Sequence, residues 1–156
     1  MSLRRFAALV LVAFSASTAW AQGGKSALNV DENSVMLHGF DAVAYHTQQA
    51  AVAGSPAITA VHEGAIYQFA TSANRDQFKA NPAKFAPAYG GYCAMGVAVD
   101  KKLDGDPKAF TIHNGTLYLN VDAKVKGMWS KDISGNEKKA MKNWAGVSAR
   151  KAFDKM

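Results

Sequence analysis

The chain has 156 residues, with 18 Lys+Arg against 12 Asp+Glu, so its formal charge is +6 at pH 7, and 49% of its residues are hydrophobic. This length suits one domain, and the apolar content is too high for a disordered chain. The single cysteine excludes a disulfide within one molecule and a zinc site built only from thiolates.

The first 21 residues have the parts of a secretory signal peptide. Arg4 and Arg5 form a positively charged start, and an apolar run from Phe6 to Ala16 follows. Ala19-Trp20-Ala21 has the small-x-small form that signal peptidase recognises, which predicts cleavage before Gln22. The apolar run is shorter than the roughly 20 residues of a permanent anchor, and no later stretch reaches that length. We therefore expect an exported protein without a membrane span in a bacterial periplasm, and an uncleaved N-terminal anchor is the alternative.

Three segments are predicted in the first half of the mature chain. Residues 22–38, which contain Gly, Ser and Asn, are interpreted as a mobile leader. Ala57 to Ser72 is predicted to form a β-hairpin around Glu63-Gly64, which would place His62 opposite Ala65 and Ile58, Ala60, Tyr67 and Phe69 on one face. Ala73 to Ala80 is predicted as a short helix that ends at Asn81-Pro82, because the residue before a proline avoids helical angles.

A second hairpin is predicted over Ala109 to Asn120. Asn114-Gly115 is a residue pair preferred in type I′ turns, and segments of alternating polarity flank it. This register separates an apolar face from a more polar one: Phe110, Ile112, Leu117 and Leu119 against Thr111, His113, Thr116 and Tyr118. From Asp122 onward the apolar spacing is helical. Together these elements predict an α+β fold, in which small antiparallel β-hairpins are packed by short helices in a single compact domain.

Short segments rich in glycine, proline and aromatic residues follow one another through this region. They are Gly39-Phe40-Asp41-Ala42-Val43-Ala44-Tyr45, Gly64-Ala65-Ile66-Tyr67-Gln68-Phe69, Phe78, Asn81-Pro82, Phe85-Ala86-Pro87, Tyr89-Gly90-Gly91-Tyr92-Cys93-Ala94, Gly105-Asp106-Pro107 and Gly115-Thr116-Leu117-Tyr118-Leu119. In their order and spacing they resemble the YHS domain family, in its longer, exported form. The resemblance implies a domain over residues 39–145 and leaves residues 146–156 as a basic C-terminal tail.

The resemblance also implies a link with metals. Short YHS domains accompany metal-handling proteins such as copper-transporting ATPases, and they are presumed to bind metal through cysteines. Aligned on Phe69 and Phe78, two of those cysteine positions correspond to Ala70 and Asn74, and Ala44-Tyr45 stands where another is expected. None of these side chains binds a soft metal, so the metal site of the short domains is not carried over. The longer form implies no specific activity.

Cys93 is the first candidate site residue, because it is the only thiol. It follows Gly90-Gly91, a pair that permits either close approach of the backbone to a ligand or a tight turn. A buried, inert thiol is the structural interpretation. The functional interpretations are a soft-metal ligand and the reactive thiol of an enzyme or redox sensor.

A soft-metal site would combine Cys93 with thioether and imidazole groups, which are ligands that suit copper(I). In an extended segment residues i and i+2 share a face, so Met95 could accompany Cys93, and His38 could accompany Met36. His46 is added because the family usually has an aromatic residue at that position. The copper hypothesis therefore names Cys93, Met95, His46 and His38 as metal ligands.

The competing hypothesis is a module that binds a small ligand or a periplasmic partner protein, with Cys93 in the core. Its pocket would be lined by aromatic residues and the glycine pair: Tyr45, Tyr67, Tyr89, Gly90, Gly91 and Tyr92. No catalytic residue is predicted, because neither His62 nor His113 has an Asp or Ser at a spacing that suggests a triad. Export argues against nucleic acid as a partner.

Overall fold

Short helices and two small β-hairpins form the structure, a computed structural model that describes residues 27–151 and 153. In this part of the chain the elements are α1 (Ala42–Thr47), β1 (Ser55–His62), β2 (Ala65–Phe69), α2 (Ser72–Ala80), α3 (Pro82–Phe85), α4 (Ala94–Ala98), β3 (Asp106–His113), β4 (Thr116–Asn120), α5 (Ala123–Lys131) and α6 (Ile133–Ser148). The strands form two separate two-stranded antiparallel sheets, so the predicted α+β fold is confirmed. The predicted signal peptide, residues 1–21, lies outside the described residues. Between residues 27 and 151 no helix is long and apolar enough to cross a bilayer.

Both hairpins have the predicted register. His62 is paired with Ala65 across the first turn, and His113 with Thr116 across the second. In each turn both central residues have positive φ, with 51° and 82° at Glu63-Gly64 and 49° and 76° at Asn114-Gly115. A type I′ turn requires this geometry, which is why Gly is favoured at its second central position. The turns therefore fix which side chains face the core.

The first core lies between the two hairpins and the helices α1 to α3. Phe69 and Tyr67 of β2 pack there with Phe78 of α2, and β4 contributes Leu117 and Leu119. The rings of Tyr67 and Phe78 have centroids 4.4 Å apart, and those of Phe69 and Phe78 are 5.2 Å apart. Of the face predicted for the first hairpin, Tyr67 and Phe69 are buried in this core, and Ile58 and Ala60 are partly buried against it.

A second core lies on the opposite face of β4. Tyr118 is 7% exposed and packs against Trp129 of α5, with ring centroids 5.1 Å apart. Residues of α4 and α6 complete this core, among them Val97, Ala140 and Val147. Tyr118 lies on the face of this hairpin that the alternation of residues predicts to be polar. In the structure the second core covers that face at Tyr118.

A buried carboxylate ties α1 to the region after β2. Asp41 is fully buried, and its Oδ1 accepts hydrogen bonds from the backbone N–H groups of Val43 and Ala44, which caps α1. Its Oδ2 accepts from the Ala70 N–H at 2.8 Å and from Asn74 Nδ2 at 2.7 Å. Ala70 and Asn74 are the positions that the family resemblance aligns with metal-binding cysteines. In this chain they hold a carboxylate.

The packed part of the chain extends past the predicted limits of 39 and 145. Met36 and Leu37 are 1% exposed, and the Met36 N–H donates to the carbonyl of Ile66, so these residues of the predicted leader belong to the core. At the other end Val147 is fully buried, and α6 ends only at Ser148.

Candidate functional site

Two short left-handed segments stand out in the backbone. Leu37, His38 and Gly39 have consecutive φ values of 57°, 52° and 82°. Tyr89 (φ 52°) begins a second such run, which continues through Gly90 and Gly91. A residue other than glycine in this region costs about 1–2 kcal/mol, and such strain persists where surrounding contacts enforce it, often at functional sites.

Asn29 holds the two left-handed segments together. Its backbone N–H donates to the carbonyl of Gly90 at 2.8 Å, and its side-chain Nδ2 donates to the carbonyl of Gly91 at 3.0 Å. The same Nδ2 donates to Asp104 Oδ1 at 2.6 Å, and this oxygen lies 3.0 Å from His38 Nε2. Asn29 is 8% exposed, whereas the side chains of His38 and Asp104 are 47% and 48% exposed. In this network Asn29 is therefore buried, whereas the side chains of His38 and Asp104 are about half exposed to solvent.

His38 lies between two adjoining recesses, which we call together the His38 cleft. Their volumes are about 180 and 490 Å³, and both are lined by Asp31, Val35 and His38. The other polar lining residues are Asn29, Asn33, Gln68 and Asp104, and the other apolar ones are Val30, Pro56 and Phe153. An apolar wall with a few convergent polar groups is the usual form of a small-molecule site.

The His38 cleft offers a ligand hydrogen-bonding groups and negatively charged carboxylates. In the neutral imidazole Nε2–H donates to Asp104, so Nδ1 carries the lone pair. Asp31 and Asp104 bring two carboxylates to the lining, and each has capacity for further donors. Among the described residues that line the cleft there is no Ser, Thr, Cys or Lys. The cleft is suited to holding a ligand that donates hydrogen bonds or carries positive charge.

Cys93 has a structural position at the start of α4. It is fully buried, and its Sγ accepts a hydrogen bond from the Gly96 N–H at 3.3 Å, which caps the helix. Its thiol also contacts Asn120 Oδ1 at 3.8 Å, and the same oxygen accepts from the Met95 N–H at 3.2 Å. Burial raises the pKa of the Cys93 thiol, so the reactive thiolate is disfavoured.

The extended segments assumed for the copper hypothesis are not present. Cys93 immediately precedes α4 and Met95 lies within it, so the two do not share the face of a strand. Met36 is buried while His38 is exposed, because the left-handed backbone at Leu37 and His38 interrupts the strand-like alternation. Both parts of this expectation are wrong for the same reason, since i and i+2 share a face only in extended backbone.

His46 lies apart from the network around His38. Its ring stands edge-on to that of Phe85, with centroids 5.3 Å apart. Its Nε2 is buried and has no hydrogen-bond partner in the part of the chain that the structure describes. Burial, followed by the charge of Lys84, lowers the pKa of His46. Among residues 27–151 and 153 no three His, Cys, Asp or Glu side chains form a group that could hold a metal ion.

The aromatic residues predicted to line one pocket are divided between the two cores. Tyr45 and Tyr67 are 0% and 2% exposed in the first core, and Tyr45 donates its hydroxyl hydrogen bond to the Pro107 carbonyl. Tyr89 and Tyr92 belong to the second core. Burial, followed by the charge of Glu137, raises the pKa of Tyr89 to about 12.

The predicted glycine pair is joined to the cleft through Asn29, which binds both of its carbonyls, but neither glycine lines the cleft. A side chain at Gly90 would collide with the backbone carbonyl of Ala27, so this close approach depends on glycine. No motif or spacing in the sequence singles out Asn29 or Asp104, which lie 75 residues apart. Only the fold brings them to His38.

In comparisons with known proteins, no family model, no curated protein and no solved structure matches the chain. The resemblance to YHS domains therefore stays a prediction.

Proposed function

We propose that the chain is a binding module that takes up a small, positively charged ligand in the His38 cleft, and that Cys93 is structural. The observation that carries this proposal is the position of Asp104, whose Oδ1 meets both Asn29 Nδ2 and His38 Nε2 in the lining of the cleft. Asp31 adds a second carboxylate beside it. Binding of a cation at such a pair is favoured by charge and by charge-assisted hydrogen bonds.

The left-handed segments support a binding role because they fix the lining before a ligand arrives. Asn29 is buried and bonds to Gly90, Gly91 and Asp104, so the base of the cleft is held by the fold itself. A lining that is already ordered loses little conformational entropy on binding. The exposed halves of His38 and Asp104 are then the groups available to a ligand.

Titration calorimetry with agmatine and putrescine, which carry amine or guanidinium groups, tests this proposal. Acetate and glucose serve as anionic and neutral probes. We expect heat of binding from the cations only, and we expect Asp104→Asn to weaken their affinity about tenfold or more, since hydrogen bonds to charged groups contribute about 1.5–3 kcal/mol.

Asp76→Asn is the matched control, because Asp76 is exposed on α2 and pairs with the neighbouring Arg75. This variant should bind as the wild type does. Binding of acetate in preference to the cations, no binding by any probe, or equal affinity in Asp104→Asn would each contradict the proposal. Thermal melting of both variants checks that they remain folded.

The soft-metal hypothesis has a separate test in the same protein. Copper(I) would be titrated against a competing chelator, with Cys93→Ser as the variant. Because Cys93 is enclosed and bonded within the fold, we expect the substitution to leave copper affinity unchanged. A large loss in Cys93→Ser would instead favour a copper site centred on this thiol.

A further inference from the structure

A second recess, which we call the α4–α5 groove, is almost wholly apolar. Its volume is about 270 Å³. It is lined by Met95, Val99, Leu103, Val121, Val125 and Met128, together with Gly96 and Asp122. Val99 and Met128 are 52% and 45% exposed, although large apolar side chains are usually buried. The groove thus presents apolar surface to solvent.

Exposed lysines lie on α5, which lines this groove, and on α6, which packs against α4. Lys124 is exposed and lies four residues before Met128 on α5, so the two share one face of the helix. On α6, the side chain of Asn143 donates to the carbonyls of Val97 and Ala98 at the end of α4, immediately before Val99. Lys139 is exposed and lies four residues before Asn143, so it shares the face of α6 that meets the end of α4.

The charge of the chain is concentrated in the same region. Residues 123–151 contain eight Lys and Arg against two acidic residues, Asp132 and Glu137. This excess of six positive charges equals the formal +6 of the whole chain, so the residues outside 123–151 have no net charge. Such an asymmetric distribution attracts anions to one side of the molecule.

We propose that the α4–α5 groove binds an anionic amphiphile, a fatty acid, with its alkyl chain along the apolar lining and its carboxylate at Lys124 and Lys139. The lining methionines suit an alkyl chain because their flexible thioether side chains adapt to irregular apolar shapes. Among the described lining residues Asp122 is the acidic one, and its Oδ1 is already bonded to the Val125 N–H at the start of α5. The carboxylate of the ligand is therefore expected at the lysines and away from Asp122.

The concave shape of the groove favours a single alkyl chain over the surface of a bilayer as the bound partner. The apolar side chains line a recess of about 270 Å³, whereas adsorption to a bilayer needs only a basic face. An acidic polypeptide would use the lysines but would leave the apolar lining without a partner. The groove and the charge together favour a fatty acid.

A titration with sodium dodecanoate, below the concentration at which it forms micelles, would test this proposal. Binding would be measured by calorimetry and by the fluorescence of the tryptophans. Trp129 is adjacent in sequence to Met128 and is fully buried, so it reports a change at the groove. We expect dodecanoate to bind and dodecylamine, of equal chain length and opposite charge, to bind much more weakly. Equal binding of the two would overturn the role of the lysines.

Substitutions separate the apolar from the charged contribution. Met128→Asp should abolish binding while Val61→Asp does not, because both side chains are exposed but only Met128 lines the groove. Lys124→Glu and Lys139→Glu should each weaken binding about fivefold at low salt, whereas Lys79→Glu, exposed on α2, should have no effect.

Two outcomes would overturn the proposal. One is unchanged dodecanoate affinity in Met128→Asp. The other is sedimentation of the protein with vesicles of anionic phospholipid without binding of free dodecanoate, which would assign the lysines to a bilayer surface. A result in Asp104→Asn does not affect this inference, because Asp104 does not line the groove.

Discussion

Replacement of Asp41 by alanine is expected to destabilise the domain more than any surface substitution. The carboxylate accepts four hydrogen bonds: from the N–H groups of Val43, Ala44 and Ala70, and from Asn74 Nδ2. Loss of a helix cap costs about 1 kcal/mol, and each of the two further donors left without a partner costs about 1–3 kcal/mol, so we expect a loss of about 3–7 kcal/mol. The cap costs more here than at an exposed helix end, because Val43 and Ala44 are fully buried.

Urea denaturation followed by tryptophan fluorescence measures this change directly. Asn74→Ala should cost less than Asp41→Ala, because it removes one of the four hydrogen bonds and keeps the cap of α1. Asp76→Ala is the control, since its exposed ion pair with Arg75 contributes at most about 1 kcal/mol. A loss below about 1 kcal/mol in Asp41→Ala would refute the view that this carboxylate joins α1 to α2.

Three further predictions concern the thiol of Cys93, the pKa of His46 and two glycines with positive φ. Cys93 should react slowly with thiol reagents at neutral pH, because it is buried and its pKa is raised; rapid labelling of the native protein would contradict this. Since the pKa of His46 is lowered in the fold, the unfolded chain binds more protons, and stability should fall as the pH drops below 6.5; urea midpoints at pH 7.5 and 5.5 should differ more in the wild type than in His46→Phe. Gly90→Ala should destabilise the protein much more than Gly115→Ala, because both have positive φ but only at Gly90 would the added Cβ meet backbone, at Ala27; similar losses in thermal melting would argue against this close approach.

Local signals in the sequence were sufficient to predict both hairpins. The pair Asn114-Gly115 determines a two-residue turn, and the turn determines the register of the strands on either side. Similarly, Asn81-Pro82 ends α2 at Ala80, because the residue before proline avoids helical angles. These features depend on neighbouring residues only, so they can be read from the chain.

The second core could not be predicted in the same way. Alternating polarity placed Tyr118 with threonines on the more polar face of the hairpin, but the helices α5 and α6 cover it. Its hydroxyl donates to Glu137 of α6 at 2.7 Å, which explains how a polar tip is accommodated there. Whether a face is solvated or covered depends on elements distant in sequence, and alternation carries no information about them.

The candidate site was predicted only in part. The sequence predicts Gly90, Gly91 and His38 as candidate site residues. It does not predict their partners Asn29 and Asp104. The assumption of extended backbone failed at His38, because its φ is positive, which is rare for a residue other than glycine. A lone cysteine gave no indication of whether it caps a helix or faces a ligand.

The most direct test of a cation site in the His38 cleft is a titration of the isotopically labelled protein with agmatine, followed by amide chemical shifts. We expect saturable shifts at His38, Asp104 and Asn29, which the hydrogen-bond network joins, and the loss of these shifts in Asp104→Asn. Saturable shifts confined to other parts of the domain, or no saturable shift, would contradict a binding site at this cleft.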